Sequence, residues 1–65
     1  MAIENYGLLK LLFVDDDSLT RLLLRELLNN SYWRNSVIVE SAAAAYDAIM
    51  TSPPDVVFYR LANAQ

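Results

Sequence analysis

The stretch LLKLLFVDDDSLTRLLLRELL, residues 8–28, carries the strongest structural signal in this sequence of 65 residues. Its first part, residues 8–14, is apolar except for one lysine, which is typical of a strand buried on both faces. Three aspartates follow, and Ser18 or one of these aspartates can cap a helix. Leucines then recur at helical spacing up to an Asn-Asn-Ser stop. The stretch therefore predicts a strand, an acidic turn and a helix.

The rest of the chain continues the same alternation. SVIVES, residues 36–41, is short and β-branched and predicts a second strand. AAAAYDAIM, residues 42–50, predicts a second helix, because alanine is the best helix former. The Thr-Ser-Pro-Pro that follows ends this helix, and DVVFYRL, residues 55–61, predicts a third strand. The order β-α-β-α-β predicts an α/β fold with parallel strands and right-handed crossovers.

The composition excludes several kinds of chemistry. The chain has no cysteine and no histidine, which excludes disulfides, the usual zinc sites and Cys/His or Ser/His nucleophile pairs. Its single glycine, Gly7, precedes the first strand, which excludes a glycine-rich phosphate loop. A domain of this length is marginally stable alone, so binding partners are the remaining route to extra stability.

The charge and the hydropathy of the sequence indicate which classes of partner the protein binds and where in the cell it is found. The net charge is −3 and the five basic residues are scattered, so no nucleic-acid surface is expected. No targeting segment and no continuous apolar run of membrane-spanning length occurs in the sequence. We therefore expect a soluble cytoplasmic protein that binds neither nucleic acid nor a membrane.

The acidic turn allows two interpretations. Carboxylates that directly follow a buried strand lie at the edge of an open α/β sheet where ligands bind. Two adjacent carboxylates there could hold a hard cation such as Mg²⁺. Alternatively, the three aspartates only cap a helix and complement its dipole. Composition alone leaves both interpretations open.

Two stretches resemble the receiver domains of response regulators in bacterial two-component signalling. LLFVDDDSLTRLLLRELL, residues 11–28, resembles the first strand and helix of these domains, and SPPDVVFYRLANAQ, residues 52–65, resembles the segment around their third strand. The connecting loop is shorter than usual and lacks the family's glycine. The resemblance implies one domain, residues 1–65, with the first half of a flavodoxin-like fold and a three-stranded parallel sheet of order 2-1-3.

The resemblance assigns positions in the family's phosphorylation site. Asp15 and Asp16 match the acidic pair, of which the second typically binds Mg²⁺. Arg60 falls at the phosphoacceptor position, although arginine neither forms an acyl phosphate nor binds a cation. Ala62 falls where the family uses a carbonyl ligand, and the later site residues have no counterpart. The resemblance implies that Arg60 lies near Asp15 and Asp16 in place of the metal; the alternative is that Arg60 points to solvent.

The same resemblance implies how the first helix is oriented. In the family pattern, four leucines face the sheet: Leu23, Leu24, Leu27 and Leu28. Leu19 and Leu22 lie on the outer side of the helix.

These observations predict a truncated, degenerate receiver-like signalling protein that acts through protein–protein interaction, independently of phosphorylation. No enzymatic activity, metal or cofactor is expected. The alternatives are an N-terminal fragment of a response regulator without activity of its own, and a receiver that accepts a phosphoryl group.

The third strand is the expected interface. Its residues Val56, Val57, Phe58 and Tyr59 are apolar on both faces, and no lysine or proline protects the strand as an edge. We expect a homodimer in which two copies of residues 55–61 pair antiparallel, giving a sheet of order 2-1-3-3′-1′-2′. Exchange of an element between subunits, or pairing with another signalling protein, would satisfy the same edge.

Overall fold

The computed structural model of the chain describes residues 9–31, 33 and 35–60. Its elements, in chain order, are β1 (Leu11–Asp15), α1 (Ser18–Asn29), β2 (Val37–Val39), α2 (Ala42–Thr51) and β3 (Val56–Arg60). All three strands are parallel and lie in one sheet of order β2-β1-β3. The predicted α/β fold, element order and strand order are confirmed.

The ends of the strands differ slightly from the sequence-based expectation. β1 extends to Asp15, one residue past the end of the apolar run, because the ladder with β3 continues to Arg60. Leu8 and Leu61, which were expected at the ends of the first and third strands, lie outside the described residues, as does Ala62.

Side-chain caps fix the beginning of both helices. Asp17, rather than Ser18, is the N-cap of α1, and its carboxylate accepts a hydrogen bond from the Thr20 N–H. Ser41 caps α2 in the same way, with its hydroxyl accepting from the Ala44 N–H. Each cap satisfies one backbone donor that would otherwise lack a helical partner.

The two helices pack on opposite faces of the sheet. On the α2 face, Leu12 and Val14 pack against Ala45 and form the most buried part of the core. The partly buried residues around them are Val37, Val39, Ala48 and Ile49. On the α1 face, the rings of Phe13 and Phe58 stack with centroids 4.8 Å apart. This stacking follows from the register, which places the two phenylalanines side by side.

Two of the four leucines of α1 that were expected to face the sheet are not covered by it. Leu28 is buried and Leu24 is half-buried, but Leu23 and Leu27 are exposed. Leu19 and Leu22 are exposed, as expected. The reason is that α1 packs on β1 and β2, so its β3-facing side meets an uncovered part of the sheet. Among the described residues, no helix has the length and apolar character needed to cross a membrane.

Candidate functional site at the carboxyl edge of the sheet

Asp15 and Arg60 end two neighbouring strands at the same edge of the sheet. Asp15 is the last residue of β1, Arg60 is the last residue of β3, and the two are partners in the register. Neighbouring residues in register project from the same face, so both side chains lie on the α1 face with Phe13 and Phe58. In open α/β sheets this edge is where ligands bind.

The guanidinium of Arg60 binds the carboxylate of Asp15 through one nitrogen. Its Nη1 atom lies 3.2 Å from Oδ1 and 3.1 Å from Oδ2 of Asp15. The contact is therefore a single donor shared by two oxygens, and not the pair of parallel bonds that arginine forms in a fork geometry. Asp15 is buried, whereas 64% of the Arg60 side chain is exposed.

The backbone and a second arginine complete the surroundings of Asp15. The Asp17 N–H donates to Asp15 Oδ1 at 2.9 Å, which closes the turn between β1 and α1. Arg21 donates from Nη1 to the Asp15 carbonyl oxygen at 2.8 Å. Arg21 was not predicted to belong to the site. Its position depends on how α1 folds back over the end of β1, and no local sequence signal reports that angle.

The other two aspartates of the run, Asp16 and Asp17, lie in the turn between β1 and α1. Asp16 follows the strand directly and is half-buried. Asp17 accepts hydrogen bonds from the hydroxyl (2.6 Å) and the N–H (2.8 Å) of Thr20. These bonds, the hydroxyl's first, lower the pKa of Asp17 below its ordinary value of 3.8, with smaller contributions from the charges of Arg60 and Arg21. Two different aspartates of the same run therefore have the two predicted roles: Asp17 caps α1, and Asp15 binds Arg60.

The arrangement is an ion pair supported by the backbone. Asp15 directs its carboxylate to Arg60 and to the N–H of Asp17. Within the described part of the chain, no three carboxylate, histidine or cysteine side chains gather as a metal site would require. What the contact does is join the carboxyl ends of β1 and β3 and neutralise a buried charge.

The strand that carries Arg60 is exposed along its whole length. Val56, Val57, Phe58 and Tyr59, the expected interface residues, keep between 40% and 57% of their surface exposed. Because the Val56 N–H donates to Lys10 O on the β1 side and N–H groups alternate along a strand, Val57 and Tyr59 direct theirs to the open edge. In the described sheet, β3 therefore presents unpaired backbone groups together with apolar side chains.

The ion pair between Asp15 and Arg60 and the exposed edge of β3 thus lie at the same side of the sheet. Both are built by β3, whose last residue closes the ion pair and whose outer side is open. Comparison of the chain with protein-family models, curated proteins and solved structures finds no match.

Proposed function

We propose that this chain is a receiver-like signalling module that works through protein–protein association and does not transfer phosphoryl groups. The observation that carries the proposal is the ion pair between Arg60 and Asp15, formed in register at the carboxyl edge of the sheet. The β-α-β-α-β order and the strand order 2-1-3 support the receiver-like part of the proposal.

In this proposal, the positive charge of Arg60 takes the place of a metal ion at this edge of the sheet. In the receiver-like interpretation, Arg60 stands at the acceptor position and its positive charge faces the acidic residues that would otherwise need a metal. Because Asp15 is buried, it depends on a partner charge, and Arg60 provides that charge permanently. A permanent cation beside Asp15 suits a module that does not respond to phosphorylation. The module needs no cofactor.

Association is proposed to occur through the edge of β3. An exposed apolar edge strand is a template for pairing with another chain, and folded proteins rarely leave one uncovered. The simplest occupant is a second copy whose β3 pairs antiparallel around a two-fold axis. Another signalling protein that adds a strand is the alternative occupant. The proposed location is the cytoplasm, where two-component signalling modules act.

Incubation with acetyl phosphate and Mg²⁺, followed by intact-mass spectrometry, tests the absence of phosphoryl transfer. We expect no mass gain, while a phosphoaccepting receiver in the same reaction gains one phosphoryl group. The Arg60→Asp variant restores only the acceptor carboxylate, so it is expected to gain little or nothing. An adduct on Asp15, Asp16 or Asp17 of the unaltered chain would refute the proposal and favour the phosphoaccepting alternative.

A further inference from the structure

The α1 face of the molecule carries an apolar recess next to an apolar projection. The recess, here named the α1–β3 groove, has a volume of about 550 Å³. Its walls include Phe13, Leu24, Leu28, Trp33, Val56 and Phe58. The projection, here named the leucine ridge, consists of Leu19, Leu23 and Leu27, which are 62%, 56% and 69% exposed.

The leucine ridge borders the groove along one side of α1. Residues four apart form one row along a helix, so the three leucines stand in line. The groove side of this row carries Leu24 and Leu28, which line the groove together with Leu27 of the ridge itself. The nearest charged residue of α1, Glu26, lies on the outer flank of the row. No charged side chain lines the groove among the described residues.

We propose that a second copy of this chain occupies the groove, with the leucine ridge of each copy inserted beside α1 of the other. The contact has two-fold symmetry, with α1 crossing α1 of the partner through the rows of residues four apart, the commonest mode of helix packing. This face contact goes beyond the β3 pairing. Strand pairing joins backbone groups in the plane of the sheet and leaves the groove, which lies above that plane, uncovered.

Self-complementarity favours a second copy as the occupant. A two-fold contact requires one surface to offer both the projection and the recess, and this face offers them side by side. A different partner helix would be selected mainly by charged side chains; the lining of the groove has none, and Arg60 in the adjoining recess is already paired with Asp15. Each copy carries a net charge of −3, so two copies approach with least repulsion at the uncharged lining of the groove, next to the paired Asp15 and Arg60 on the same face.

The exposed apolar area of the α1 face is small for a protein–protein interface. The exposed parts of the leucine ridge, Val56 and Phe58 amount to roughly 500 Å² per copy, against about 600 Å² per partner at the lower end of specific interfaces. The groove walls add to this figure. The contact is therefore expected to be weak and to be sensitive to loss of a single ridge leucine.

Cysteine cross-linking tests the contact directly, because the natural chain contains no cysteine. Leu23 is the middle residue of the ridge and lies near the proposed two-fold axis. We expect Leu23→Cys to form disulfide-linked dimers under mild oxidation, in at least about tenfold higher yield than Leu22→Cys. Leu22 is the matched control, since it is 52% exposed but belongs to another side of α1. Equal yields from the two variants would overturn the proposal.

A second measurement separates the face contact from the β3 pairing. The double variant Leu23→Gln/Leu27→Gln removes the ridge without burying a polar group, and we expect its copy number in sedimentation equilibrium to be lower than that of the natural chain. Leu22→Gln is expected to leave the copy number unchanged. An unchanged mass for the double variant would count against the face contact. The Leu23→Cys cross-link should also persist when Val57→Pro removes the strand pairing, and its loss there would overturn an independent face contact.

Discussion

Asp15 joins three parts of the fold through one residue. Its carboxylate binds Arg60 at the end of β3 and the Asp17 N–H in the turn, while its carbonyl accepts from Arg21 on α1. A buried carboxylate without such partners would carry a large desolvation penalty. The ion pair is therefore a structural link between β1, β3 and α1 as well as the feature that defines the site.

Replacement of Arg60 tests how much this link contributes. Arg60→Met keeps the length of the side chain but removes its charge, and we expect a loss of about 1 kcal/mol in unfolding free energy, because the exposed guanidinium is partly screened by solvent. Arg60→Lys is expected to retain most of the stability, since only one nitrogen contacts Asp15. Urea unfolding followed by circular dichroism provides the comparison. Equal stability of Arg60→Met and the natural chain would show that the pair contributes nothing.

Asp17 gives the molecule a specific acid dependence. Its pKa in the folded chain is lowered from 3.8 by the hydrogen bonds from Thr20, so its contribution to stability is fully present above 3.8. That contribution is lost as the pH falls through the lower folded pKa, because protonation weakens the cap. Asp17→Asn keeps a capping oxygen without the charge. We expect the natural chain to lose more stability than Asp17→Asn between neutral pH and pH values below 3.8, measured by thermal unfolding. Parallel acid curves for the two chains would contradict this assignment.

The site was only partly predictable from single residues. The proximity of Arg60 to the acidic turn follows from strand register, which the resemblance to receiver domains supplies and composition does not. The choice of Asp17 over Ser18 as the cap depends on where the backbone leaves the strand. The contribution of Arg21 depends on the angle between α1 and β1, which no run of neighbouring residues encodes.

At the scale of elements, α2 depends on its cap and its small residues. Ala45 is buried against Leu12 and Val14, and its methyl group lets the helix approach the sheet closely. The alanines favour the helical backbone but offer little side-chain burial. The N-cap Ser41 and a few contacts with the sheet therefore stabilise α2.

Loss of the α2 cap should therefore be measurable. We expect Ser41→Ala to lower the unfolding free energy by about 1 kcal/mol, because the Ala44 N–H loses its acceptor. Ser41→Asp retains an acceptor at the same position and should preserve the stability. Chemical unfolding of the three chains under the same conditions checks the prediction, and a Ser41→Ala chain as stable as Ser41→Asp would contradict it.

The elements were predictable in type and order, whereas the exposure of Leu23 and Leu27 on α1 was not. Leucine spacing predicts a helix but fixes its orientation only when the sheet beneath it is known. The receiver-like pattern places Leu23 and Leu27 toward a covered sheet. In this structure α1 packs on β1 and β2, so the same leucines border the open groove beside β3.

At the scale of the whole molecule, few apolar side chains are buried, and those of β3 are not among them. The buried apolar residues of the described chain are Leu11, Leu12, Val14, Leu28 and Ala45. All five residues of β3 remain exposed, although the apolar character of the first four suits a central strand. Association would bury this strand and stabilise the folded state by mass action.

Sedimentation equilibrium at micromolar concentration tests this central claim most directly. Val57 directs its N–H to the open edge, so Val57→Pro removes a donor that strand pairing needs while leaving the β1–β3 ladder intact. Val57→Thr is the matched control, because it keeps both the N–H and the β-branched shape. We expect the natural chain and Val57→Thr to sediment as assemblies of more than one copy, and Val57→Pro to sediment with half their copy number. A folded single-copy natural chain, or a Val57→Pro chain with unchanged mass, would contradict association through β3.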